Sequence, residues 1–228
     1  MCACRGTAGF AHVSCLAEQA KILVAEAEED NLSDKVLDER WHRWYTCGLC
    51  EQYYHGVVAC ALTWACWKTY LGRPETDQAR LLAMTALGNG LSSVEKYEDA
   101  LSVQEAELSM ARRVGGSALS ILDLQTNLAD TYRLLGRIEE ALLMQRDVYS
   151  ERVRLHGEEH EKTVIAASNY AGGLVLLQRF EETKSLLRKI MPVAPHVLGE
   201  SHETTLRMRW TYAAALYNNT SATLDDLR

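Results

Sequence analysis

From residue 76 onward, apolar positions recur with a helical period and in paired blocks. In the strings ALGNGLSSVEKYEDAL, NLADTYRLLGRIEEAL and NYAGGLVLLQRFEETK, Ala100, Ala141 and Thr183 fall in register, with Tyr97, Ile138 and Phe180 three residues earlier. The block repeats after 41 and then 42 residues, the mark of stacked structural units. In each unit a small residue (Gly88, Ala129, Ala171, Ala213) is followed one turn later by Leu91, Tyr132, Leu174 or Leu216. That spacing predicts a first helix lying close against a neighbour. The acidic pairs Glu98-Asp99, Glu139-Glu140 and Glu181-Glu182 predict the first turn of a second helix, where the helix dipole favours negative charge. Gly115, Gly157 and Gly199 predict where that helix ends. One helix pair cannot bury its apolar face alone, so the expected fold class is all-α, a right-handed helical solenoid.

Before residue 76 the pattern changes. Leu16, Ile22, Leu23 and Ala25 predict a helix entered through Ser14 and ending at Asp30-Asn31, with a second short helix from Ser33. Val57, Leu62 and Trp64, with Ala59 and Ala65 between them, predict one buried helix in which Cys60 and Cys66 are small apolar fillers. Trp41 and Trp44 are expected core aromatics. The segment Gly72-Arg73-Pro74-Glu75 breaks helix and divides the chain into residues 1–71 and 76–228.

Composition adds limits. With 228 residues, 47% of them hydrophobic, the chain can build a real core and is not disordered. Its 24 basic and 31 acidic residues leave a net charge of −7, which argues against a nucleic-acid footprint. The apolar run Val57 to Trp67 is too short for a bilayer, and no apolar stretch follows Arg5 as a secretory signal requires. No membrane partner is therefore expected, and the cytoplasm, where cysteines stay reduced, is the expected location.

Five of the seven cysteines precede residue 51. They form ordered groups: Cys2-x-Cys4, His12-x-x-Cys15 and Cys47-x-x-Cys50. Each pair can offer two donors to one ion from a tight turn, and two pairs complete a tetrahedral zinc site. A redox role for Cys2-x-Cys4 would call for a thioredoxin-like strand and helix around it, which the pattern lacks. His42 and His55 stand alone, as does a satisfied histidine. His156, His160, His196 and His202 recur at loop positions and read as repeat punctuation.

Two resemblances follow from these motifs. Cys2-x-Cys4-x-Gly6, His12-x-x-Cys15-Leu16 and Cys47-x-x-Cys50-x-x-x-Tyr54 resemble the RING-CH (RING-variant) zinc finger over about the first fifty-four residues. The resemblance implies a complete site at Cys2, Cys4, Cys47 and Cys50, with His12 and Cys15 half of another. One zinc ion is thus implied, and two if a further Cys-x-x-Cys lies upstream; either the chain is cut from a longer one or that first site has been lost. It also implies docking of a ubiquitin-conjugating enzyme through an apolar residue in the missing first loop and a tryptophan where Gln19 stands here.

The small-residue, aromatic and alanine pattern of residues 76–228 resembles the tetratricopeptide repeat. The long period, Asn127-Leu128-Ala129, Asn169-Tyr170-Ala171 and Leu198-Gly199-x-x-His202-x-x-Thr205 resemble the kinesin light chain subclass. That resemblance implies about three and a half repeats, the last stopping shortly after its second helix begins. It implies a groove in which Asn127 and Asn169 bind the backbone of an extended peptide, since an amide offers both donor and acceptor. Asn89 with Asn127 resembles the asparagine pair of a chaperone-tail carboxylate clamp, but the positions of its cations hold Thr85, Ile165 and Asn169, so capture of a chaperone C-terminus is not expected. Asp130 and Arg133 either face the same groove or are plain surface charge. No P-loop, Gly-x-Ser-x-Gly or His-Glu-x-x-His occurs.

The expected function is a non-enzymatic protein–protein interaction scaffold with a structural zinc site. The alternative is a RING-type ubiquitin ligase, or its inactive remnant, whose repeats choose the substrate. An unfinished last repeat also predicts self-association unless further residues cover it.

Overall fold

The computed structural model describes residues 12–218. Eleven α-helices and one 3-10 turn account for most of them, and no β-strand forms among the described residues. The chain divides into two compact units, Met1–Gly116 and Ser117–Arg228.

In the first unit, α1 (Val13–Glu29) buries Ala20, Val24 and Ala27, three residues on one helical stripe. His12, not Ser14, occupies its N-cap position. Asn31 takes a positive φ of 48° and turns the chain into α2 (Asp34–Trp41), which enters through Ser33. A 3-10 turn, His42–Trp44, follows. Trp41 and Trp44 are buried and pack on Tyr70 with ring centroids 5.1 and 6.1 Å apart, the core role the sequence predicts.

Helix α3 (Gly56–Tyr70) buries Cys60 and Cys66 as apolar fillers; burial pushes the Cys66 thiol well above its ordinary range. Helix α4 (Gln78–Ser92) starts at Asp77, whose carboxylate accepts the Arg80 N–H at 3.0 Å. Gly90 is needed here, because a Cβ at that position would lie 2.0 Å from Thr63 Oγ1 on α3. The connector between α3 and α4 is tied down: Arg73 donates two 2.7 Å bonds to Glu28 of α1, and Arg80 donates to the Arg73 carbonyl at 2.6 Å. Helix α5 (Tyr97–Arg113) completes the unit, with Glu98 and Asp99 in its first turn.

The second unit holds α6 (Ala118–Leu134), α7 (Ile138–His156), α8 (Glu161–Leu176), α9 (Phe180–Ile190), the short α10 (Ala194–Leu198) and α11 (Glu203–Asn218). Glu139-Glu140 and Glu181-Glu182 open α7 and α9 as the charge pattern requires. Gly157 ends α7 with a φ of 79°. The third case differs: α9 stops at Ile190, and Gly199 instead closes α10. Pro192 removes a backbone donor just after α9, and Pro195 suits the first turn of the new helix.

Ala171 is fully buried, as are Val164, Ala167, Leu187, Ile190 and Met208, which form one core with Ala194. Ala213 does not follow the expected pattern. It is exposed, and Met208, Thr211 and Ala215 supply the inward face of α11. On the outward side Leu206, Trp210 and Tyr217 are exposed.

Candidate functional site

In the second unit a polar face is assembled from the first helices of successive pairs, α6, α8 and α11. Asn127 on α6 is half-buried. Its carboxamide makes no hydrogen bond among the described residues, while its main-chain oxygen accepts from Thr131 Oγ1 at 3.3 Å. One turn on, Asp130 pairs with Arg133 at 3.7 Å. Burial pushes the Asp130 carboxyl up, and the Arg133 and Arg207 guanidinium groups draw it back.

Asn169 on α8 lines a small cavity together with Thr126 of α6, Gln145 and Val148 of α7, and Ala166. Gln145 is buried, and its side-chain oxygen has no hydrogen-bond partner. A Cβ at Gly173 would fall 2.7 Å from that oxygen, so α8 keeps no side chain there. Arg207 of α11 completes the arrangement by donating from Nε to Ser168 Oγ at 3.1 Å and from Nη2 to Asn169 Oδ1 at 2.8 Å.

The structure thus brings together Asn127, Asp130, Arg133 and Asn169 on one unit and adds Arg207. Sequence reasoning overlooked Arg207, although it stands 42 positions beyond Ile165, which occupies one of the cation positions of the carboxylate clamp. Asn89 lies on α4 in the first unit, exposed, with its main-chain oxygen accepting from Ser93. Thr85, also on α4, donates to Glu107, a buried carboxyl that no sequence signal marked. Burial raises Glu107 to about 7 against the opposing pull of the Thr85 hydrogen bond.

The histidines at repeat boundaries have a definite task. His160 and His202 cap α8 and α11, their Nδ1 atoms accepting the Lys162 and Thr204 N–H groups at 3.2 and 3.1 Å.

At the cysteine-rich end, Cys2 and Cys4 lie outside the described residues. His12 and Cys15 are exposed at the start of α1, and Gln19 is exposed further along it. Cys47 and Cys50 lie on a tight turn between the 3-10 turn and α3. Thr46 bridges Tyr53 in antiparallel fashion, Cys47 N–H donates to the Gln52 carbonyl at 2.9 Å, and Glu51 adopts a φ of 57°. Leu49 N–H points to Cys47 Sγ at 3.5 Å. No group of three or more His, Cys, Asp or Glu side chains suited to a metal forms among the described residues.

A tetratricopeptide repeat family model matches residues 79–150, the stretch from α4 to α7. No curated protein matches the chain. Among solved structures, a putative kinesin light chain from Podosopora anserina with nearly identical TPR-like repeats is 17% identical, with 91% of this chain and 88% of that one covered and a TM-score of 0.57. BtubC (BKLC) from P. vanneervenii is 14% identical, with 90% and 85% covered and a TM-score of 0.63. The protein therefore has an all-α fold of tetratricopeptide-type helical repeats, and no described helix is long and apolar enough to cross a membrane.

Proposed function

We propose that the chain is a non-enzymatic interaction module that binds an extended peptide segment of a protein partner along the face of α6, α8 and α11. The observation that carries this reading is Asn127: a half-buried carboxamide with no internal hydrogen bond, on the same face as Asn169 and the cavity it lines. Such an amide suits a peptide backbone because it donates and accepts without selecting a side chain. A displayed library of extended peptides, screened against the full chain, is expected to yield ligands whose affinity falls about tenfold, or about 1.4 kcal/mol, on Asn127→Ala. Ligands indifferent to both Asn127→Ala and Asn169→Ala would overturn the groove.

A second reading is favoured by the Cys47–Cys50 turn. An N–H aimed at a cysteine sulfur on a hairpin turn is suited to a thiolate, and two thiols of one turn make half a tetrahedral zinc site. Cys2 and Cys4 are the proposed other half, with His12 and Cys15 belonging to a second site. A site closed by four protein ligands holds structure and has no open position for substrate. A ubiquitin-conjugating enzyme as partner, and ligase activity, belong to this reading and are tested by an autoubiquitination assay. Metal analysis should find one zinc per chain that disappears in the Cys47→Ser/Cys50→Ser variant. Protein that is metal-free when purified under reducing conditions would remove the zinc site.

A further inference from the structure

We infer that Gln145 is a specificity-determining residue of the groove and that it reads the side-chain hydroxyl of a serine in the bound segment. The inference rests on the groove reading above and deepens it. The small cavity beside Asn169 has room for one water-sized group. Val148 and Ala166 give it apolar wall, while Thr126, Gln145 and Asn169 give it polar wall. Gln145 is 5% exposed, and its side-chain oxygen meets no donor among the described residues. A buried acceptor in that condition is costly, so a fold keeps one where something else supplies the donor.

The other polar groups of the wall define that something. Asn169 gives its Oδ1 to Arg207 at 2.8 Å and keeps its NH2 donors. Thr126 Oγ1 commits its proton to the Leu122 carbonyl at 2.8 Å and is left with lone pairs. A group that enters must therefore donate, to Gln145, and accept, from Asn169. A hydroxyl does both with one heavy atom, whereas an ammonium only donates, a carboxylate only accepts and an amide exceeds the room.

A solvent water has the same two-sided chemistry, and the position of the cavity favours the serine. Its wall is shared by α6 and α8, Thr126 stands next to Asn127 in sequence, and both Thr126 and Asn169 are part-exposed. A segment whose backbone is held by the amides of Asn127 and Asn169 passes this opening. One methylene links such a backbone to a hydroxyl, and Val148 and Ala166 suit that methylene. The device also recurs: Gln104, 41 residues earlier and at the matching place in the first unit, is 4% exposed with its oxygen likewise unpartnered among the described residues. Recurrence at the repeat spacing marks a feature of the repeat and not one misplaced amide.

The test uses the full chain and two pools of fluorescein-labelled, C-terminally amidated twelve-residue peptides, random except at one central position and lacking Ser and Thr elsewhere. One pool has central Ser; the other has central 2-aminobutyrate, in which a methyl group of nearly the same size replaces the hydroxyl. By anisotropy, the Ser pool should bind about tenfold tighter than the 2-aminobutyrate pool. Gln145→Leu, which removes the acceptor and keeps most of the volume, should bring the Ser pool down to the level of the other and leave the latter within about twofold. Gly173→Ala, whose Cβ would fall 2.7 Å from the Gln145 oxygen, should also abolish the margin by displacing that oxygen while Gln145 remains. Equal binding of the two pools to the parent, a comparison that needs no variant, means that water keeps the cavity and overturns the serine assignment with the groove intact. A margin that survives both substitutions overturns the role of Gln145. Failure of both pools to bind overturns the groove reading and this inference with it.

Discussion

Glu107 sits 2% exposed in α5, hydrogen-bonded by Thr85, and burial holds its carboxyl near 7. An unfolded chain would release that proton near the ordinary value of 4.5. Between those two values the folded protein binds more protons than the unfolded one, so stability falls as pH rises through the window and is level above it. The loss amounts to about 3 kcal/mol. Glu107→Gln, which keeps the volume and removes the charge, should be more stable than the parent at pH 8 and lose that advantage by pH 5. Urea unfolding at the two pH values measures it, and an offset that does not change with pH would count against a titrating Glu107. At the same scale, His160 replaces the usual Ser or Asp at a helix N-cap. His160→Ala should lower stability by about 1 kcal/mol, and His160→Asn should restore most of it; thermal unfolding would detect a Tm decrease of a few degrees for the first.

At the scale of the helices, α4 to α9 were legible because their signals are local. Apolar period, a small residue at the close approach, acidic residues in the first turn and glycine at the end all act within a turn or two of the residues that carry them. The split of α9 from α10 was hidden behind the repeat spacing: Gly199 keeps its place in the 42-residue step while Pro192 interrupts the helix before it. Gly90 was overlooked because its reason lies on α3, at Thr63. Arg207 was missed for the same kind of reason. Its meaning comes from Ser168 and Asn169, 39 and 38 residues earlier, and no periodicity announces which side chain will reach back to a preceding helix. Glu107 was equally silent, since a glutamate in a helix reads as surface until a neighbour covers it.

At the scale of the whole molecule, the helical fold and a polar face rich in amides could be anticipated, since repetition alone forces helices to stack. The zinc-finger resemblance depends on Cys2 and Cys4, outside the described residues, and on the turn at Cys47–Cys50, around which no group of three or more metal-suited side chains forms among the described residues. The chain's apparent division at Gly72-Arg73-Pro74-Glu75 is another matter. In the structure that segment and the helices on both sides of it fall within one compact unit. The grouping into compact units is thus governed by contacts that composition does not reveal.

The pair of hydrogen bonds from Arg73 to Glu28 gives that connector a mechanical character. A Gly-Pro segment flanked by helices looks like a hinge and an easy target for proteases, yet here it is riveted to a helix 45 residues away in sequence. Nicking needs several residues to leave the surface together, so the rivet converts a soft joint into a guarded one. Brief exposure to subtilisin should leave residues 71–77 uncut in the parent and cut them several-fold faster in Glu28→Gln. Equal rates in the two proteins would mean that the joint owes its rigidity to something else. If the rivet holds, motion at one end of the first unit is delivered to the other as displacement and is not absorbed as flexing between them.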